Sequence, residues 1–539
     1  MPQEFDVIVV GAGFAGLYAL YRLRERGYAV RVLEAASDIG GTWFHNRYPG
    51  ARCDIESLQY SYSFSDEVEQ EWDWTERYAG QPEILRYIHH VADRFGLRRD
   101  IRLNARVITA VFDEAGHRWR IEAGDGQVYS AAFCIMATGC LSVPIDPAIP
   151  GLGDFAGDIY RTTDWPQDGV DFASRQVGVV GTGSSAIQAI PIVAEAAGEL
   201  TVFQRTANYV IPAHNRPLGE AERADWKRHY PARRAAARRT RNNALMNHNT
   251  RPGADMPPGE REAVLEARWQ LGGLTFSYGF PDQATDRRVN EAAADFVRRK
   301  IAGRVRDPET ARKLMPRDHP LGSKRLCVDT EYFEAFNRSN VRLVDLRDEG
   351  IVTVEAEGVR TQRTFYPLDA LILATGFDAM TGALSRIDPK GRGGRSLREK
   401  WRVRPSTLLG LAVAGFPNLF IVTGPGSPSV LSNMVTSAEQ NVDWIAACLD
   451  YLRANGVAEI EARAEAEDAW FEEVAAASAR TLLPDGDSWY VGANVPGKPR
   501  VYMPYLGGVP AYLDACEKAA ADGYNAFALT PADPAVAAE

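Results

Sequence analysis

The chain has no closely spaced cysteine pair. Its six cysteines, Cys53, Cys134, Cys140, Cys327, Cys448 and Cys516, are scattered along 539 residues, and none has C-x-x-C spacing. That excludes flavoenzymes working through adjacent thiols, and it excludes zinc knuckles. Basic residues are not in excess either. Lys and Arg number 61 against 71 Asp and Glu, for a net charge of -10. An acidic balance argues against nucleic acid and anionic membranes as partners. No apolar run approaches the roughly 20 residues that span a bilayer. The first residues, Met1-Pro2-Gln3-Glu4-Phe5-Asp6, lack a basic leader before an apolar stretch, so no secretory signal is expected and the cytoplasm is. Histidine is sparse, and the one adjacent pair, His89-His90, would point apart on a helix instead of sharing a ligand. What remains is an ordinary globular composition over a length that suggests about three to four domains.

Against that background stands a repeated nucleotide signal. The apolar run Val7-Ile8-Val9-Val10 is followed by Gly11-Ala12-Gly13-Phe14-Ala15-Gly16, a helical stretch from Leu17, and a second strand ending on Glu34. In this βαβ unit Gly11 permits a tight bend, Gly13 lets the backbone approach a pyrophosphate, and Gly16 lets helix and strand pack closely. The helix start, with Phe14 and Ala15, presents free N–H groups to the phosphates. Glu34 can accept from ribose hydroxyls. A second unit begins at Val177 and carries Gly181-Thr182-Gly183-Ser184-Ser185-Ala186, with Gln188 one turn on. Its closing strand ends on Gln204-Arg205-Thr206 and not on an acid. A carboxylate there would repel a 2′-phosphate, whereas a guanidinium binds one, so this site should take NADPH. Two such sites make the fold α/β, with two Rossmann-like dinucleotide-binding domains passing electrons between cofactors. Residues from about 218 to 313 are rich in Ala, Arg and Glu and read as a helical insertion. Strand patterns return at 341–344 and 370–374.

Two further segments are less legible from residue chemistry alone. Gly40 to Asp54 is dense in Gly, aromatic and polar residues, as a loop wrapping a cofactor would be; Asp54 by itself is an ordinary surface acid. Lys324-Arg325 lies between the helical stretch and the returning strands, where two basic residues are usually solvated.

These segments resemble fingerprints of the type I Baeyer–Villiger monooxygenases. Phe155 to Pro166 is similar to F-x-G-x-x-x-H-x-x-x-W-P, and Gly40 to Asp54 to G-G-x-W-x-x-x-x-Y-P-G-x-x-x-D. The likeness runs from residue 5 to about 528 and includes 424–434 and 489–498. One position departs: Arg161 stands where the fingerprint has histidine. The resemblance implies FAD in the first site and NADP in the second. It implies a reaction of NADPH and O2 that inserts one oxygen beside a ketone carbonyl, giving an ester or lactone by way of a flavin peroxide. Arg325 would be the active-site arginine and Asp54 its carboxylate partner. Gly41, Thr42, Trp43, Tyr60, Val107 and Met434 would join the Gly-rich turns in holding cofactor. Arg205, Thr206 and Lys324 would hold the 2′-phosphate, and Trp489 would lie in a mobile loop closing over NADP. Cys140, Leu141, Ser429, Val430, Leu431 and Met434 would line the substrate pocket.

The expected organisation is FAD-binding over 1–141 and 381–528, NADP-binding over 142–217 and 321–380, a helical insertion over 218–320, and a disordered tail over 529–539. A monomer or weak homo-oligomer is expected, with no metal. Two alternatives stay open: a flavin monooxygenase acting on nitrogen or sulfur, against which Trp165-Pro166 counts, and a nucleotide-binding redox sensor without turnover.

Overall fold

The computed structural model describes residues 2–532. Its first sheet takes strands from both ends of the chain, in the order Ile101–Arg102, Val30–Leu33, Gln3–Val10, Val128–Met136, Arg118–Ala123 and Val107–Asp113, with Leu419–Ile421 also pairing on Val128–Met136. The apolar run Val7–Val10 sits at its centre, pairing in parallel with Val30–Leu33 on one side and Phe133–Met136 on the other. Val7, Ile8 and Val9 are fully buried, as a strand covered on both faces must be. Helix Phe14–Glu25 packs against helix Met434–Ala454, and the Tyr18 hydroxyl donates to Asp443 at 2.8 Å.

The second sheet is wholly parallel, in the order Val341–Asp345, Glu199–Gln204, Gln176–Val180, Ala370–Leu373 and Asp158–Arg161. Its central strand feeds the second Gly-rich turn and helix Ser184–Ala196. The turn therefore opens where the strand order reverses, the place where such sheets bind ligands.

Between residues 213 and 326 there are helices and no strand among the described residues, the longest being Glu220–Arg238, Pro258–Leu271 and Arg287–Arg304. Short strands Val210–Pro212 and Cys327–Asp329 pair in parallel and tie the two ends of this segment together. That pairing fixes Lys324 and Arg325 at the neck.

Two features differ from expectation. An antiparallel sheet of Ile351–Glu355, Gly358–Thr361 and Phe365–Pro367 was not read from the sequence. The tail expected to be disordered from 529 instead begins inside strand Phe527–Pro531, which pairs with Val457–Ala462. Its partner supplies the ladder that an Ala/Pro-rich stretch cannot form alone. The remainder, 533–539, lies outside the described residues. No helix among those described is long and apolar enough to cross a membrane.

Candidate active site

The first Gly-rich turn is a cradle that side chains would fill. A Cβ on Gly16 would stand 1.8 Å from the Gly11 carbonyl oxygen, and one on Gly11, whose φ is +104°, would stand 2.6 Å from that of Ala137. Gly13 starts helix Phe14–Glu25 with no side-chain cap, so the N–H groups of Phe14 and Ala15 face outward without one. Gly41 approaches the same turn, its would-be Cβ 3.0 Å from the Gly13 Cα. Glu34 is buried at the end of its strand, accepting from Ala12 N–H at 2.6 Å and Ala36 N–H at 2.8 Å. A carboxylate has about four acceptor positions, so capacity remains for a ribose hydroxyl. Val107 is buried at the start of its strand in the same sheet. These residues fit an adenine dinucleotide: a glycine-lined bend, an uncapped helix and a terminal acid.

The second turn repeats the geometry. Gly181 has φ +113°, and a Cβ there would meet the Ala374 carbonyl oxygen at 2.5 Å. Gly183 begins helix Ser184–Ala196, again without a side-chain cap, and Ser185 sits in its first turn. Thr182 Oγ1 donates to the Thr206 carbonyl at 2.8 Å, joining turn to following strand. Arg205 is exposed beside it. Lys324 comes close to Arg205 from the neck and donates to the Asp487 carbonyl. Burial, with the Arg205 charge added, holds the Lys324 ammonium below its ordinary pKa. Two cations held together against their repulsion make a place for an anion such as a 2′-phosphate.

The Gly40–Asp54 loop bridges the two halves. Trp43 donates from Nε1 to the Tyr60 hydroxyl at 3.2 Å, and Phe14 meets Tyr60 edge-on at 5.5 Å. Thr42 opens the short helix Thr42–His45. Farther along, the Tyr48 hydroxyl donates to Gln188 Oε1 at 2.8 Å, and Gln188 Nε2 donates to the Arg52 carbonyl at 3.1 Å. Gln188 thus ties the loop to the second nucleotide helix.

This tie brings Asp54 to Arg325, 271 residues away. Arg325 donates from Nε to Asp54 Oδ2 at 2.8 Å, from Nη2 to Oδ1 at 2.9 Å, and from Nη1 to the Val430 carbonyl at 2.6 Å. Burial opposes its charge, but Asp54 and the Tyr490 phenol outweigh burial and hold the guanidinium above its ordinary pKa. Tyr490 is the site residue that the sequence did not single out. It is 3% exposed, and burial raises its pKa despite the facing cation, so it stays a neutral phenol. The signal was its place beside Trp489, whose ring lies 4.2 Å from its own.

Cys140, Val430, Leu141, Leu431, Met434 and Trp489 belong to one apolar cluster with Phe14, Trp43 and Tyr60. Ser429 is fully buried, has φ +42°, and donates to the Thr423 carbonyl at 3.2 Å. A non-glycine residue in that region is strained, and such strain gathers at working sites. Burial pushes the Cys140 thiol up to about 11 and the Cys327 thiol to about 11, so both are inert at neutral pH. Cys327 Sγ lies 3.3 Å from Ser184 Oγ, linking the second nucleotide helix to the Arg325 segment. The expected site residues thus divide into two nucleotide turns, an apolar cluster, and the Asp54–Arg325 pair, which bonds to Val430 of that cluster.

Two dinucleotide turns in one chain, with a partly buried guanidinium held by a carboxylate, fit a two-cofactor redox enzyme. Residues 9–71 match the family model described as an NAD(P)-binding Rossmann-like domain. The chain is 41% identical to acetone monooxygenase (methyl acetate-forming) of Gordonia sp. (strain TY-5), over 97% of this chain and 99% of that protein. It is 40% identical to phenazine N-monooxygenase PhzNO1 of Lysobacter antibioticus, over 98% and 97%. Among solved structures, an oxidised steroid monooxygenase bound to NADP superposes with a TM-score of 0.94 at 51% identity, covering 98% of this chain and 100% of that one. The chain belongs to the Baeyer–Villiger monooxygenases, with FAD and NADP as cofactors.

Proposed function

We propose that Arg325, aimed by Asp54, is the fixed positive charge under which this enzyme inserts one atom of O2 beside a ketone carbonyl. The products are an ester or lactone and water, and NADPH is the reductant. The redox and oxygen-transfer chemistry is supplied by FAD and NADP when bound.

The chain's own residues bind, orient and exclude. Gly11, Gly13 and Gly16 let the backbone approach the FAD pyrophosphate, with Glu34 toward its ribose. Arg205, Thr206 and Lys324 take the NADP 2′-phosphate. Arg325 cannot lose its proton at any working pH, so it favours negative charge developing on oxygen without acting as a stray acid. A preorganised donor of this kind typically contributes about 3–4 kcal/mol to a barrier. Tyr490 stays a neutral phenol beside the Arg325 guanidinium. Cys140, Leu141, Ser429, Val430, Leu431 and Met434 surround the ketone with apolar surface, which keeps water away. Trp489 and its loop close the nicotinamide side. In this reading 1–141 and 381–528 form the FAD unit, 142–217 and 321–380 the NADP unit, and 218–320 the helical insertion. The enzyme works in the cytoplasm as a monomer or weak homo-oligomer.

The observation that carries the proposal is the bidentate Asp54–Arg325 pair with its third bond to Val430, a pocket residue. Arg325→Ala should abolish ester formation while FAD stays bound. Near wild-type oxygenation by that variant would move the role to another group.

A further inference from the structure

The chain crosses between the two dinucleotide sheets twice. Strand Val128–Met136 of the first sheet leads to Asp158–Arg161 of the second, and Ala370–Leu373 of the second leads back to Leu419–Ile421 of the first. The two crossings are bonded to each other. Ile145 N–H donates to the Gly376 carbonyl at 3.0 Å, Asp378 N–H to that of Val143 at 2.8 Å, and Met380 N–H to that of Cys140 at 2.8 Å. This junction is the place where the first domain meets the second along the backbone.

A loop from a third part of the chain is fastened to it. The loop over 489–503 is closed at its base, where Met503 N–H donates to the Tyr490 carbonyl at 2.9 Å. At its far end Asn494 Nδ2 donates to the Phe377 carbonyl at 2.8 Å. Lys498 Nζ donates to Asp378 Oδ1 and to the Ala379 carbonyl, each at 2.6 Å. The preceding Pro496-Gly497 is exposed, yet the Lys498 side chain is only 8% exposed. A lysine beside an exposed turn ordinarily keeps its ammonium in water, and lysine is almost never buried unless paired. Burial pulls this ammonium below its ordinary pKa, and Asp378 opposes that. Arg500 of the same loop pairs with Asp487 in solvent, both side chains more than half exposed, where a pair is worth little. The buried Lys498 pair is therefore what fixes the far end. The base carries Trp489 and Tyr490, and Tyr490 is buried beside the Arg325 guanidinium.

We propose that Lys498 is a positioning residue for oxygen insertion. Through Asp378 it fastens the 489–503 loop to the interdomain junction and so holds Tyr490 beside Arg325. The surroundings of Arg325 are then complete only while the junction is made, which ties ester formation to the arrangement of the two domains. With the loop unfastened, water reaches the pocket. One NADPH and one proton then turn one O2 into one hydrogen peroxide, in place of one ester and one water. The effect on ester rests on the role given to Arg325; the fastening does not.

The test compares the unaltered chain with Lys498→Met, Asp378→Ala and the double variant, each loaded with FAD. Two quantities are read. One is the rate of chymotrypsin cleavage after Trp489 and Tyr490 with NADP bound, followed by fragment mass. The other is ester and hydrogen peroxide formed per NADPH, with a ketone that the unaltered chain converts. Cleavage after a buried residue reports opening of the segment that holds it, so each single variant should raise it about tenfold or more. Ester per NADPH should fall about threefold or more, with peroxide making up the difference and FAD content unchanged. The double variant should be no worse than either single one, because both remove one bond. Should one single variant lose FAD, the other reads the same effects. Unchanged cleavage, additive losses, or faster cleavage with ester per NADPH unchanged would overturn the proposal, the last by making the bond a structural one only. If the unaltered chain converts no ketone, the reading under Proposed function fails; cleavage alone then decides the fastening, a rise of that size supporting it and an unchanged rate overturning it.

Discussion

Replacing Asp54 by asparagine separates aim from charge. The wild-type carboxylate takes two hydrogen bonds from Arg325, at 2.8 and 2.9 Å, and both side chains are about a quarter exposed. In Asp54→Asn one oxygen still accepts, but the new amide N–H₂ faces a guanidinium N–H. Removing one partner of a fully buried pair costs about 3–5 kcal/mol. Here the Val430 bond survives, solvent reaches the pair, and one acceptor remains. A loss of about 1.5–3 kcal/mol in transition-state stabilisation is the expected share. That is roughly a 10- to 150-fold fall in kcat/KM for ester formation. The assay is ester quantified beside NADPH consumed and hydrogen peroxide released. FAD content should be unchanged, and peroxide per NADPH should rise. The double variant with Arg325→Ala should be no worse than Arg325→Ala alone, because Asp54 acts through the guanidinium. Additive losses, or an Asp54→Asn enzyme at wild-type rate, would refute the reasoning.

NADPH should be preferred over NADH, and Arg205→Ala and Lys324→Ala should each reduce that preference about tenfold or more, since a charge-assisted contact is worth about 1.5–3 kcal/mol; steady-state kcat/KM with both nucleotides checks it. Glu439 has a folded pKa raised by burial to about 7, from 4.5. Its contribution to stability is therefore fully present below about pH 4.5 and is lost as pH rises through about 7. Glu439→Gln mimics the protonated form, so it should come nearest to wild type below about pH 4.5 and exceed it at pH 8 by about 1–3 kcal/mol in denaturant titrations; a constant difference across pH contradicts this. Arg161 donates to Asp146 at 2.6 Å on the surface, a pair worth less than about 1 kcal/mol, so Arg161→His should leave ester formation within about tenfold. If the unaltered chain makes only hydrogen peroxide and Arg161→His restores ester, Arg161 is more than a linker donor.

The nucleotide turns were legible because phosphate binding demands glycine where a Cβ would collide, as at Gly16. The Asp54–Arg325 pair was not, since residue chemistry cannot bring together two side chains 271 positions apart. Only the likeness of whole segments to a family pointed to it. Tyr490 escaped because a phenol in an aromatic stretch looks like core until the guanidinium is seen beside it. Residues 529–531 were misread because the strand they extend depends on a partner some 70 residues earlier.

Product analysis under oxygen-18 is the direct measurement of oxygen insertion beside a ketone. The FAD-loaded enzyme with NADPH is given linear, cyclic, aromatic and steroidal ketones beside an aromatic N-heterocycle and a sulfide, chosen because one relative is named as an N-monooxygenase. An ester or lactone is expected from at least one ketone, carrying one labelled oxygen atom and formed in step with NADPH consumed. Labelled N-oxide or sulfoxide with no ester from any ketone, or hydrogen peroxide as the sole oxygen product, would contradict it.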